Sequence, residues 1–466
     1  MARQEEQLLH RDEDEMRDAY ALDESLRGQL KQLVAAGDDA AIDALMAPLH
    51  AADIADLLEQ VSDAERAAWL ALWSRGIDGE VLSELDLGLR EEVIGLLPQD
   101  VLADAVRELD SDDVVDLVED LEDDQIEAIL DVLEPSDRVA VEQALAYPEE
   151  SAGRLMQREV VHAPEHWTVG EMIDYLRARK LELPEQFYHV VLTDPRMKPM
   201  GYVTLGRLLS SPRDTALKDV TEDSFRTIPA TQHEDDVAYA FNQYHLISAP
   251  VVDEDGRLVG VITIDDAMIV LDEGAQEDFL KLAGVGEESS LSDRVIETTK
   301  QRFPWLFVNL ITAILASLVI AQFEAAIAQI VALAVLMPIV ASMGGNAGTQ
   351  SLTVAVRAIA TRDLTRSNLM RVVLREAAVG LINGMVFAAM MGLVGLIWFG
   401  SLALGGVIAA AMVINLLVAG LAGILIPVLL DRLNIDPALA SGAFVTTVTD
   451  VVGFLAFLGL AVVFLL

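Results

Sequence analysis

The sequence predicts a multidomain membrane protein: an all-α helical-repeat solenoid, then an α/β module of two similar halves, then an α-helical transmembrane bundle of five helices. Three observations carry this reading. Charge is confined to one end of the 466 residues, apolar runs long enough to cross a bilayer fill the other end, and two internal repeats of different period divide the charged part.

From Phe303 onward 6 basic and 6 acidic residues cancel, so the whole net charge of -43 belongs to residues 1–302. A half that is more than one-fifth acidic repels nucleic acid and anionic headgroups and attracts multivalent cations; solubility in a salty cytoplasm is the bland alternative. The absence of cysteine excludes disulfides and thiolate metal sites. The stretch MARQEEQLLHRDEDEMRD has no apolar signal core, so the acidic half is expected in the cytosol.

Residues 1–150 carry a helical pattern. Leu109, Leu121, Leu133 and Leu145 recur every 12 residues, with Ser111, Asp123 and Ser136 placed like N-caps between them. One short helix per repeat is the simplest solution, because stacked units bury an apolar face that none buries alone. An ordinary helical bundle is the competing arrangement.

Residues 151–270 turn to β-branched strands alternating with helices. GYVTLGRLL from Gly201 aligns with GVITIDDAM from Gly260, an offset of 59 residues that fits two βαββα units. This resembles a tandem pair of CBS domains, and the resemblance implies a regulatory module that senses adenine nucleotides or ions. In that family a Thr/Ser-x-x-Asp after the last strand can hold a ribose. Thr263 and Asp266 match it, while the first copy has Thr204 and Arg207, so at most one ATP site is intact.

An amphipathic helical stretch from Ile264 leads into a linking region at residues 271–302. Asp266, Glu273, Glu277 and Asp278 fall near a common face, where like charges cost helix stability unless something neutralises them. A solvated face and a cation-linked switch are the two readings.

Residues 303–466 hold five apolar runs, at 304–323, 325–343, 372–399, 402–430 and 437–466, against about 20 residues needed per span. Lys300 and Arg302 before the first run, and Arg357, Arg362, Arg366, Arg371 and Arg375 between the second and third, belong on the cytosolic side. Gly405 and Gly406 mark a candidate re-entrant break.

Two membrane segments carry the chemistry. In LMPIVASMGGNAGTQSLTVAVRAIA from Leu336, Pro338, Gly344 and Gly345 are expected to interrupt the helix, with Asn346, Thr349 and Gln350 following as neutral oxygen donors. Broken backbone at membrane depth survives only where it is buried in protein or lines water; close packing through small residues is the alternative. In the last run Asp450 lies 13 residues beyond Pro437, about 20 Å into the layer, among Thr446, Thr447 and Thr449. A lone carboxylate there should face a wet cavity, the alternative being a protonated, merely buried side chain. Mg2+ suits this set, since it sheds water reluctantly and is held by few carboxylates and many outer-sphere oxygens. Two chains placing Asp450 across a twofold axis would supply a pair.

The order of parts, with PIVASMGGNAGTQ and TTVTDVVGF, resembles the MgtE family of bacterial magnesium transporters along essentially the whole chain. The resemblance implies a homodimer in the cell membrane with cytosolic N-terminal domains, a pore at the subunit interface with Asp450 as ion ligand, and cytosolic Mg2+ sites that close the gate, with no enzymatic step. Asp266, Glu277 and Asp278 match acidic positions of that family's plug helix and its CBS junction, whereas Ile269 and Gly274 depart from it. The expected function is Mg2+ uptake gated by cytosolic Mg2+, against a proton-coupled carrier of Co2+, Mn2+ or Ca2+. An anion carrier would need cations in the pore, and a non-transporting sensor would not need Asp450.

Overall fold

A computed structural model describes residues 24–466 apart from 108, 120, 122, 134, 180–182, 185–186, 223–224 and 286–294. The acidic N-terminal stretch read above lies outside them. The chain falls into two compact units that part between Glu273 and Gly274, inside the helix Ile264–Leu282.

In the first unit, described helices begin at Asp39, Ala51, Asp63, Leu87, Gln99, Ser111, Asp123 and Pro135, each 12 residues after the last apart from one interval of 24. The longer interval holds the turn Ser74–Gly76 and the short helix Gly79–Ser83. The repeat therefore reaches much further toward the N-terminus than the leucines after residue 100 indicate. Leu49, Val61, Trp73, Leu85, Leu97, Leu109, Leu121, Leu133 and Leu145 hold one register and join one apolar core. The register is hard to see upstream because valine and tryptophan replace leucine in it. The N-cap expectation moves by a residue. Ser111 and Asp123 are the first helical residues and Pro135 precedes Ser136, a slip within the usual latitude of helix boundaries. Arg66 is buried in this core, donating from Nε to the Leu58 carbonyl (3.0 Å) and from Nη2 to that of Val61 (3.2 Å), and pairing with Glu92 at 2.9 Å.

Two three-stranded sheets follow. β1 (His162–Pro164) runs parallel to β2 (His189–Thr193), which pairs antiparallel with β3 (Pro199–Thr204). β4 (Ile228–Pro229), β5 (Ser248–Val252) and β6 (Leu258–Thr263) repeat that order. The 59-residue offset holds in detail. His189 opposes Thr204 as Ser248 opposes Thr263, and both copies shift register at the same point, after Leu192 and after Val251. The equivalent residues His189 and Ser248 hydrogen-bond to one another, so the copies meet through matching positions.

Among the described residues the second unit contains five helices long and apolar enough to cross a membrane: Val295–Ala321, Ala332–Ala360, Leu369–Phe399, Leu402–Arg432 and Pro437–Leu465, with a short helix Glu324–Gln329 after the first. The fourth is continuous through Gly405 and Gly406, so the re-entrant break is absent there. Gly405 instead lets this helix approach the third at Gly392 and Gly395.

Candidate ion pathway

The second span also runs unbroken from Ala332 to Ala360, with Pro338 inside it, which corrects the expected interruption at Gly344 and Gly345. In an apolar layer every backbone N–H must find a partner within its own segment, and this outweighs glycine's weak helix propensity. The two glycines have different surroundings. A Cβ at Gly344 would collide with the Asn415 side chain, whereas none of the described atoms lies within 4 Å of one at Gly345. One turn on, Gly348 packs against Val445 and Thr449 of the last span.

The opposite face of the second span is polar. Ser342, Asn346, Thr349, Gln350 and Thr353 are all exposed in the single chain. Asn346 Nδ2 donates to Ser342 Oγ at 3.4 Å, and Thr349 and Thr353 donate to the carbonyls of Gly345 and Thr349 at 3.0 Å. With their hydrogens directed at the backbone, these hydroxyls turn lone pairs outward. The last span repeats the device: Thr446 donates to Gly442 O, Thr447 to Ala443 O and Thr449 to Thr446 O. Asp450 is half-buried on this helix, and among the described residues no donor or base pairs with it. The Gly348 contact sets the relative height of the two helices, so Asn346, Thr349, Gln350 and Asp450 all lie within about a turn of it along their own helices.

Two polar residues here escaped the sequence reading. Asn415, fully buried on the fourth span, donates from Nδ2 to the Val340 carbonyl at 2.8 Å, while its Oδ1 has no partner among the described residues. Its side chain fills the space left by Gly344 and by Gly453 of the last span, so one amide touches both motif-bearing helices. Its signal was a single amide in an otherwise apolar run. Glu376 on the third span accepts from Ser351 Oγ at 2.9 Å.

The four acids of the linking helix have different environments. Asp266 accepts from Thr263 Oγ1 at 2.7 Å and from Thr263 N at 3.3 Å, so the Thr-x-x-Asp motif closes the start of the helix. Burial and the neighbouring charges of Asp265 and Asp116 push its carboxyl up to about 6, although the Thr263 bonds act against this. Asp113 is pushed up to about 7 by burial and then by Asp266 and Asp110, and buried Asp112 rises for the same reasons. Glu273 is also raised, by partial desolvation and by Asp116. In the second unit, Glu277 takes Lys281 at 2.6 Å, and Lys281 also reaches Asp436, the N-cap of the last span, at 2.8 Å. Burial opposes the Lys281 charge, but these two bonds raise its pKa on balance. Asp278 is half-buried. Among the described residues no three carboxylate or imidazole groups converge tightly enough to enclose a metal ion. A small space of about 20 Å³ lies between the CBS copies at Thr263, Tyr188 and His189.

Fold and site together define a multi-span membrane protein with a CBS-bearing N-terminal half and a polar face on one of its apolar spans. Family models match in the same order: the intracellular N domain of MgtE at residues 49–150, CBS domains at 152–214 and 217–273, and the divalent cation transporter domain at 337–460. The chain is 31% identical over 330 residues to the magnesium transporter MgtE of Bacillus subtilis, covering 71% of this chain and 73% of that one. It is 34% identical over 330 residues to the Thermus thermophilus magnesium transporter MgtE, covering 70% and 73%. A crystal structure of the cytosolic domain of the Mg2+ channel MgtE in complex with ATP aligns with 52% of this chain and 99% of its own, at 28% identity and a TM-score of 0.49. The chain belongs to the MgtE family of divalent cation transporters.

Proposed function

We propose that the chain conducts Mg2+ into the cell along the polar face of its second span and past Asp450, as a homodimer in which two copies of Asp450 share the ion. The observation that carries this is a stripe of five exposed oxygen-bearing side chains on a membrane helix, packed beside a helix with an unpaired carboxylate. Lipid does not tolerate such a stripe, but hydrated Mg2+ requires one, because neutral oxygens hold its water shell while a carboxylate balances its charge. Relatives named magnesium transporters at 31% and 34% identity support this ion over other divalent cations. The test is Mg2+ flux into liposomes containing Asp450→Asn protein of unchanged thermal stability. Wild-type flux would refute the assignment, and currents that track a proton gradient would favour a proton-coupled carrier.

Closure by cytosolic Mg2+ is the regulatory half of the proposal. Burial and the nearby charges of Asp110, Asp116 and Asp265 raise the proton affinity of Asp112, Asp113, Asp266 and Glu273, so the packed arrangement that crowds these carboxylates carries a repulsion that protons or cations relieve. With no tight cage among the described residues, Mg2+ would bind here largely through its own waters, bridging one or two carboxylates at a time. Separated, Asp113 and Asp266 would titrate near the ordinary 3.8, against about 7 and 6 when packed. Groups raised in this way stabilise the packed form fully below pH 4 and lose that contribution as pH climbs through 6 to 7. Mg2+ therefore has most to contribute above pH 7. Glu277 and Asp278 lie further along the same helix, where Lys281 already neutralises Glu277, so Asp266 and Glu273 are the more cation-dependent pair.

A further inference from the structure

We propose that the pocket where the second, third and fourth spans end on their arginine-bearing side holds the phosphate headgroup of an anionic phospholipid. The pocket is open and about 430 Å³, lying between the end of the second span at Ala360, the start of the third at Leu369 and the end of the fourth at Arg432. Arg366 and Arg432 reach it from segments far apart in sequence, with Thr365 and Asn434 as neutral hydrogen-bonding groups. Neither arginine has a carboxylate partner among the described residues, in a chain that has more than twice as many acids as bases. Asp431 also lines the pocket, which leaves the lining one charge positive. Guanidinium forks match phosphate oxygens better than they match water.

A free phosphate would need only these polar groups. The pocket also has an apolar side, at Ile359 and Val428, and the same helices expose Met370, Leu374 and Leu429 close by. A headgroup in the polar part with acyl chains along that apolar surface uses both. The pocket lies among the arginines that face the cytosol, where anionic lipids concentrate and basic recesses between spans collect their headgroups. This assignment is independent of the transported ion, because its readout is lipid retention.

The test is native mass spectrometry of the full-length protein, purified in detergent and exposed in turn to phosphatidylglycerol, phosphatidylcholine and inorganic phosphate. Wild type should retain phosphatidylglycerol about tenfold more than phosphatidylcholine. Arg366→Gln/Arg432→Gln should lose that preference at unchanged thermal stability, and Arg366→Lys/Arg432→Lys should keep most of it. Equal retention of the two lipids by wild type would overturn the proposal, as would an undiminished preference in the glutamine variant. Displacement of phosphatidylglycerol by low millimolar inorganic phosphate would also overturn it, in favour of a free-anion site.

Discussion

The intracellular and membrane halves handle buried polarity in opposite ways. Before Glu273, charges are crowded and answer one another: Arg66 against Glu92, Arg90 against Asp116 at 2.9 Å, and a group of carboxylates around Asp266 left partly uncompensated. After residue 302, charged groups are sparse, and a buried polar group can stand alone among small residues, as Asn415 does between Gly344 and Gly453. In the first setting a missing charge is shared by neighbours, and an added cation changes many interactions slightly. In the second, a polar group has no solvent or charged neighbour to substitute for it, so on the proposed pathway a change at the one carboxylate Asp450 should have a large effect.

If this contrast is right, the same chemical change should have unequal consequences in the two halves. Asp450→Asn should lower Mg2+ flux by about 100-fold or more while leaving Mg2+-dependent protection of residues 1–273 from protease unchanged. Stopped-flow flux and limited proteolysis on one preparation would separate the two. Arg66→Met should cost the isolated N-terminal unit about 3 kcal/mol, because the carbonyls of Leu58 and Val61 lose their donor inside the core. Urea unfolding would measure it, and a loss within experimental error would mean that the carbonyls find water.

Two smaller effects sharpen the comparison. Gly344→Val should destabilise the membrane half by about 1–3 kcal/mol through collision with Asn415, whereas Gly345→Ala should be tolerated. Thermal unfolding in detergent would rank them, and equal loss at both would contradict the asymmetry. Asp112→Asn should lower the Mg2+ concentration needed for protection a few-fold, since it removes a charge that Asp113 and Asp266 oppose. In wild type without Mg2+, protection should be greater at pH 5 than at pH 8, in keeping with the raised Asp113 and Asp266. Protection that is flat across that range would remove those carboxylates from the switch.

Sequence alone determined what depends on local period and on the sum of many residues. Five spans follow from apolar length, the solenoid from a 12-residue register and the paired sheets from an offset of 59, because burial of a periodic face requires nothing remote. Asp450 stands out as a candidate in the sequence for the same reason: a carboxylate in an apolar run is costly wherever its neighbours lie. Tertiary structure alone decided which partners each polar group meets. Asp112 and Asp266 are 154 residues apart in sequence, Lys281 and Asp436 are 155 apart, and Asn415 meets Gly344 from another helix. Whether Gly344 breaks a helix or admits a neighbour was equally undecidable locally. Glycine's weak propensity permits either outcome, and an apolar surrounding that forces backbone pairing, with an amide side chain filling the gap, selects the second.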